Sequence, residues 1–471
     1  MPSKEELEKR LDSQKDLLRF WDELSEKERE TLSAQVEEID VQKCKEAFLE
    51  SEHIHVPDLE KVRPVPDDRY IVSSKLPKEE LHRYFRLGLE AISRNELCVL
   101  VLSGGQASRL GSLIPKGTLP LGLPSEDGRP VVNGDSLLAI QASKIHRLQE
   151  LSRKAFPGTS GKIQWGVMTS SGTHKDTIEH LEKIVPLNGL SMDDVTIFSQ
   201  ANIPAFDFQG NLLLSKKGEI CTAPNGNGGI YSELAHHLPK LRARGVKYVQ
   251  TYCVDNILCR VGDPAMLGMV IEKKADCAAK TLEKILGELM GSITVEDGKA
   301  RVTEYSELGN LESRVGPDGK LLYRAGSIAI HFFTMNFLES FCTPDFHLPY
   351  HRALKKIAYV DEHGELQKPS EPNGIKLEQF IFDVFPMSHN FYAWEAVRND
   401  EFSPLKNAES VGSNCLSTCI RDLAAQSRSW LEKAGAKCVD GKQVFISPSR
   451  SYCGEGLEEF AGKEITQTII H

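Results

Sequence analysis

The sequence predicts an α/β protein in three parts: a helical N-terminal region over residues 1–94, a central domain with a mixed, mainly parallel sheet over 95–405, and a small C-terminal lobe over 406–471. Three observations predict it. Short continuous apolar runs, such as residues 97–103 (LCVLVLS), alternate with longer helical stretches, as buried parallel strands alternate with crossover helices. Before residue 94 the apolar residues recur at helical period, and after Asn407 the pattern shortens. The chain has 471 residues, 40% hydrophobic and 26% charged, enough apolar material for a large core and too much for disorder.

In order, Leu7, Leu11, Leu17, Leu18, Trp21 and Leu24 recur near a 3.6 period. Ser3 with Glu6 and Ser25 with Glu28 have capping-box spacing, which predicts two helices with a break near Leu24–Ser25. The proline-punctuated residues 56–77 read as extended, and a helix should follow over 77–92 with Pro77 at its start. Strands are expected at 97–103, 163–169, 195–198, 248–254 and 278–282, and helices at 136–151, 173–184, 231–244 and 264–274. Residues 442–471 suggest strands and turns.

Composition excludes several classes. No apolar run approaches the ~20 residues of a membrane helix, and the charged start MPSKEELEKR is unlike a signal peptide. Eleven cysteines without a C-x-x-C suggest neither a disulfide framework nor a zinc ribbon, so a reducing, cytoplasmic setting is expected. The net charge of −10 argues against nucleic acid as a partner.

The most informative segment is residues 103–117, SGGQASRLGSLIPKG, which leaves a predicted strand at its carboxyl end, where open α/β sheets bind ligands. Glycines there let backbone N–H groups approach a phosphate, and Arg109 and Lys116 supply cations. Neither G-x-x-x-x-G-K-S/T nor G-x-G-x-x-G is present, which weakens NTPase and dehydrogenase readings. The segment resembles the signature of sugar-nucleotide pyrophosphorylases, Gly-Gly-x-Gly-Thr-Arg-Leu-Gly followed by Pro-Lys-Gly, at Gly104, Gly105, Arg109, Leu110, Gly111, Pro115, Lys116 and Gly117. It departs at Ala107 and Ser108, and an alanine would cost ~1 kcal/mol if position 107 required positive φ. Further strings, PNGNGG (224–229), YCVDNIL (252–258), KPSEPNGIKLEQFIFDVF (368–385), DEFSPLKN (400–407) and ISPSRSYCGEGLE (446–458), narrow the resemblance to the eukaryotic UDP-N-acetylhexosamine pyrophosphorylases.

That resemblance implies a Rossmann-like nucleotidyltransferase domain that transfers UMP from UTP to N-acetylglucosamine 1-phosphate, and to the galacto epimer in some cases, releasing pyrophosphate. The implied substrates are small molecules, with Mg²⁺ as cofactor and no nucleic-acid or membrane partner; no oligomeric state is implied. Such a transfer needs positioning and charge neutralisation rather than a protein nucleophile. Arg109, Lys116 and, by resemblance, Lys406 should hold phosphates. Asp255, after a predicted strand, reads equally as a turn aspartate; the resemblance makes it a Mg²⁺ ligand, with Asp383 a weaker candidate. By resemblance Gly104, Gly105, Gln200 and Gly226 serve the nucleotide, and Asn227, Glu304 and Ser327 the sugar. Ser327 stands, within GSIAIHFF, where the family commonly has asparagine, and Ile330 replaces a second one. These departures keep two alternatives open: a UDP-glucose or broad-specificity UDP-sugar pyrophosphorylase, and a catalytically silent UDP-sugar binder.

Other signals carry less. His347 and His351 have i, i+4 spacing but enclose Pro349, Cys415 and Cys419 could share a helix face, and the stripe of residues 7–24 reads as core rather than a partner surface.

Overall fold

The structure, a computed structural model, describes residues 2–471. The chain forms two compact units, and neither is contiguous in sequence. The first unit comprises the chain up to Val56 with Gln200–Ser232 and Asp345–Asp383; the second comprises Pro57–Ser199, Glu233–Pro344 and Val384–His471. This division differs from the linear boundaries at 94 and 405. Residues 57–94 fold with the sheet, and two later insertions supply the strands on which the N-terminal helices pack.

In the first unit, α1 (Lys4–Leu11), α2 (Glu26–Glu38) and α3 (Val41–Glu50) precede short strands. Both expected capping boxes are present: the Ser3 and Ser25 hydroxyls accept from Glu6 N and Glu28 N, and each glutamate accepts from its cap residue's N–H. α1 ends earlier than the apolar period suggests because Asp12 takes φ +47°, after which the chain runs in 3₁₀ turns over Asp12–Leu18 and Trp21–Glu23. Leu7, Leu11, Leu18, Leu32, Val36 and Phe48 are buried with Phe206, Leu212, Ile375 and Leu377. The strands Asn202–Pro204 and Thr222–Pro224 pair antiparallel, and Gly374–Glu378 lies between His351–Lys355 and Phe206–Asp207.

The second unit carries a sheet of eleven strands: β1 (Arg63–Pro64), β2 (Tyr70–Val72), β3 (Leu97–Leu102), β4 (Gln164–Thr169), β5 (Val195–Ser199), β6 (Tyr248–Cys253), β7 (Cys277–Glu283), β8 (Ser292–Glu296), β9 (Lys299–Thr303), β10 (Ala325–Thr334) and β11 (Phe391–Ala396). Its main path runs β2-β11-β7-β10-β6-β3-β4-β5. Neighbours on the path are parallel except that β10 runs antiparallel to both β6 and β7. β3 and β4 are buried along their whole length, as their apolar runs require.

Helices α4 (Lys78–Ser93), α5 (Leu137–Ala155), α6 (His174–Leu187), α7 (Pro264–Lys273) and α8 (Leu416–Lys433) complete the unit. α4 and α7 approach closely through Gly88 and Gly268, where a Cβ would strike the Pro264 and Tyr84 carbonyls. The helix expected over 231–244 is two short ones, Ile230–Ala235 and Leu238–Ala243, parted at His236–His237 just before Pro239. α8 lies where only shorter periods are visible, because its buried face includes Gln426 and Ser427. No described helix is long and apolar enough to cross a membrane.

Candidate functional site

The glycine loop leaves β3 and folds back on itself. Lys116 N donates to Gly105 O (3.0 Å), Gln106 bridges Pro115, and Ala107 N donates to Ile114 O (3.0 Å). Residues 107–114 are thereby pinched into a ring whose left-handed residue is Gly111, at φ +79°. Ala107 sits at φ −81° with its side chain buried, so the anticipated alanine penalty does not arise. At the carboxyl end of β3, Gly104 O accepts from Ser170 Oγ (2.7 Å), and a Cβ on exposed Gly105 would meet nothing within 4 Å. At Gly117 a Cβ would lie 2.8 Å from Leu138 and 2.9 Å from Val254, so the loop's far end is wedged between α5 and the end of β6.

Arg109 is exposed and Lys116 half-buried, and neither has an ion-pair partner among the described residues. Lys406, exposed, is likewise unpaired, as is the half-buried carboxylate of Asp255. Cys253, at the end of β6, ties several of them together. Burial pushes its thiol up to about 12, the charge of Asp255 adds to the rise, and Lys406 and Lys116 oppose it. One thiol thus lies within electrostatic reach of both cations and the carboxylate. No group of three or more His, Cys, Asp or Glu side chains poised to hold a metal occurs among the described residues. A lone unpartnered carboxylate beside cations suits Mg²⁺ shared with substrate phosphates, since that ion keeps waters and commonly takes only one or two carboxylates from protein.

Glu304 and Ser327 meet elsewhere in this unit, at Gly291. Ser327 N donates to Gly291 O (2.8 Å), and a Cβ on Gly291 would stand 3.1 Å from Glu304 Oε1. Glu304 also caps the helix Tyr305–Leu308, accepting from Glu307 N. Ser327 lies beside a bulge in β10, opposite Lys280 and Thr281, where Ala329 takes φ +54°. Ile330 is buried.

The remaining predicted residues belong to the first unit. Gln200 is buried. The PNGNGG loop is zipped to residues 379–381: Gly228 N donates to Gln379 O (2.8 Å), Gln379 N to Asn225 O (2.8 Å), and Ile381 N to Asn227 Oδ1 (2.9 Å). Asn227 therefore spends its oxygen on the backbone and presents its NH₂. Gly226 sits at φ +88°, ψ 169°, a region reserved for glycine, and a Cβ there would stand 2.6 Å from Gln379 N. Gly226→Ala is expected to cost about 1–3 kcal/mol in strain, read by thermal unfolding; an unchanged Tm would refute the glycine requirement.

Asp383 Oδ2 lies 2.7 Å from His351 Nε2, so this carboxylate has a hydrogen-bond partner of its own within the first unit. The histidines at 347 and 351 do not share a helix, since His351 opens a strand. Cys415 caps α8, and all eleven cysteines are free thiols. Sequence reasoning singled out the string that contains residues 379–381 but not its role as the partner of the PNGNGG loop; the paired glycines of that loop were the available signal of a close backbone approach.

A glycine-bearing loop at the carboxyl end of a parallel strand, beside unpaired cations and a carboxylate, is the arrangement of a nucleotide-binding α/β protein equipped for phosphoryl-type transfer. Residues 41–449 match the family described as UTP–glucose-1-phosphate uridylyltransferase. Over 473 residues the chain is 48% identical to a Caenorhabditis elegans protein named "Probable UDP-N-acetylglucosamine pyrophosphorylase", covering 100% of this chain and 96% of that one. It is 37% identical to Saccharomyces cerevisiae UDP-N-acetylglucosamine pyrophosphorylase, covering 97% of each. The crystal structure of uridine diphosphate N-acetylglucosamine pyrophosphorylase from Trypanosoma brucei, in complex with an inhibitor, superposes with a TM-score of 0.82 at 28% identity, covering 98% of this chain and 95% of that one. The chain belongs to the UTP–glucose-1-phosphate uridylyltransferase family.

Proposed function

We propose that this protein is a UTP:sugar-1-phosphate uridylyltransferase whose sugar substrate is N-acetylglucosamine 1-phosphate. The observation that carries the reading is that the loop after β6, which holds Asp255, is flanked by Gly117 beside Lys116, packed on Val254, and by Leu405 beside Lys406, whose N–H donates to Asp255 O (2.8 Å), in a chain similar over its whole length to UDP-N-acetylglucosamine pyrophosphorylases. In the reaction an oxygen of the sugar phosphate attacks the α-phosphorus of UTP; the bond to the bridging oxygen breaks, and pyrophosphate leaves with its electron pair. Arg109 and Lys116 hold the triphosphate from the glycine loop, and Lys406 neutralises charge near the attacking phosphate. Asp255 would hold Mg²⁺, which when bound supplies further neutralisation of the phosphate oxygens. Gly105, in the glycine loop of the second unit, serves the uridine. Eleven free thiols suit a reducing compartment such as the cytosol.

Incubating the protein with UTP, Mg²⁺ and a panel of sugar 1-phosphates should release pyrophosphate fastest with N-acetylglucosamine 1-phosphate. Release mainly with glucose 1-phosphate would point to UDP-glucose synthesis, and none with any sugar to a silent binder. Sugar choice should depend on position 327, because serine is an amide shorter than the family's asparagine. Ser327→Asn is expected to shift relative kcat/KM between N-acetylated sugar phosphates and glucose 1-phosphate by about 10-fold, on the order of one hydrogen bond; an unchanged preference would remove Ser327 from specificity.

A further inference from the structure

The loop after β6 and the segment leading to Lys406 are joined by an unusually dense set of hydrogen bonds. Asn256 is buried and has no direct role in the proposed transfer. Its Nδ2 donates to Glu401 O (2.7 Å), and its Oδ1 accepts from Ser403 N (2.9 Å) and Leu258 N (3.3 Å). On either side of it the backbones pair directly: Ile257 N donates to Ser403 O (3.1 Å), and Leu405 N donates to Asp255 O (2.8 Å). Beyond that, Lys406 N and Asn407 N both donate to Asn414 O, at 2.8 and 2.9 Å.

Lys406 thus has its backbone fixed on both sides while its ammonium is left unpaired. On the upstream side the last bond ends on Asp255 itself, so the carboxylate and the cation share one frame whose central link is the Asn256 amide. The same loop is held from behind: Lys144 Nζ donates to Ile257 O (3.2 Å) and Cys259 O (2.9 Å), and Gln141 Nε2 donates to Val254 O (3.3 Å). Lysine and glutamine are costly to bury, and here they are spent on carbonyls of one loop. Stability alone would be served by apolar side chains, whereas a fixed loop conformation requires these donors.

We infer that Asn256 is a positioning residue that sets the placement of Lys406 relative to Asp255 by clamping residues 401–405 to the loop after β6. The inference rests on the uridylyltransferase reading above. Removing the amide orphans two N–H groups and a carbonyl and frees the segment that carries Lys406. A displacement of about 1 Å at a phosphate-binding cation is enough to lower the rate about 100-fold.

The test is a double-mutant cycle on the full chain, with pyrophosphate release as readout. Asn256→Ala should lower kcat about 10- to 100-fold with KM for UTP moving less than threefold. In a Lys406→Ala background the same substitution should cost less than twofold more, because the cation it positions is gone. Asn256→Asp, which keeps the shape and the acceptor but loses the bond to Glu401 O, should show the same non-additivity and covers the case in which the alanine variant does not fold. Losses that multiply fully in a folded pair of variants would overturn the clamp. No turnover by the wild-type chain would overturn the uridylyltransferase reading itself, and this inference with it.

Discussion

Lys280→Met lowers the unfolding free energy by about 3–5 kcal/mol, the cost of breaking a buried ion pair from one side. Lys280 is fully buried in β7, and its Nζ lies 2.5 Å from both Asp263 Oδ2 and Glu401 Oε2. Arg260 stands 3.3 Å from Glu401 on the other side. Burial alone would lower the Lys280 pKa and raise that of Asp263. The opposite charges outweigh it, holding Lys280 above and Asp263 below their ordinary values. Methionine fills similar volume but leaves two carboxylates in the core, of which only Glu401 keeps a paired cation, Arg260.

The sign of the pH dependence follows. The depressed Asp263 contributes stability that is present above its unfolded pKa of about 3.9 and lost as acid protonates it in the fold. The raised Lys280 contributes stability that is present below its unfolded pKa of about 10.4 and lost as base deprotonates it in the fold. The gap between wild type and variant should therefore be widest between about pH 5 and pH 10 and close toward strong acid. Urea unfolding at pH 7 and at about pH 2.5, below the unfolded carboxylate pKa, checks both; a difference below about 1 kcal/mol at pH 7 would show the triad to be energetically idle.

Lys116→Ala should lower kcat/KM about 100- to 1,000-fold, the range for removing one preorganised charge stabiliser. Lys116 lies in the 3₁₀ turn Lys116–Thr118, anchored by its own N–H to Gly105 O and by the wedge at Gly117, so its backbone cannot drift to compensate. Lys116→Arg should recover only part of the loss, since a planar fork does not replace a compact ammonium at a fixed point. Thermal unfolding should be nearly unchanged in both, because the ammonium has no ion-pair partner to lose. Steady-state pyrophosphate release reads the effect, and a loss under threefold would remove Lys116 from the phosphate site.

Much of this was legible in the residues. Apolar runs as strict as LCVLVL in β3 and the serine–glutamate spacings at α1 and α2 announce themselves because local physics and tertiary context agree there. The strand β10 was harder to read, since a bulge at Ala329 breaks its alternation. α8 hides its period by burying Gln426 and Ser427. In the site, glycines and cations stand out by type, but the devices that hold them do not. Asn256 is one asparagine among many until its amide is seen to join two segments some 145 positions apart. Nor could a string of letters show that Ala107 escapes a left-handed backbone because Gly111 takes it.

The discontinuity of the first unit has a consequence for how the polypeptide is made. The apolar stripe of α1–α3 is covered by Phe206, Ile375 and Leu377, and the last of these leave the ribosome roughly 330 residues after Phe48 does. At about 5–20 residues per second, these helices wait about 15–65 s for their covering strands. Pairing across so long a span is slow in itself. These helices are thus long without their native partners, and the step at which chaperone capture or aggregation competes with folding is set by the arrival of Gly374–Glu378.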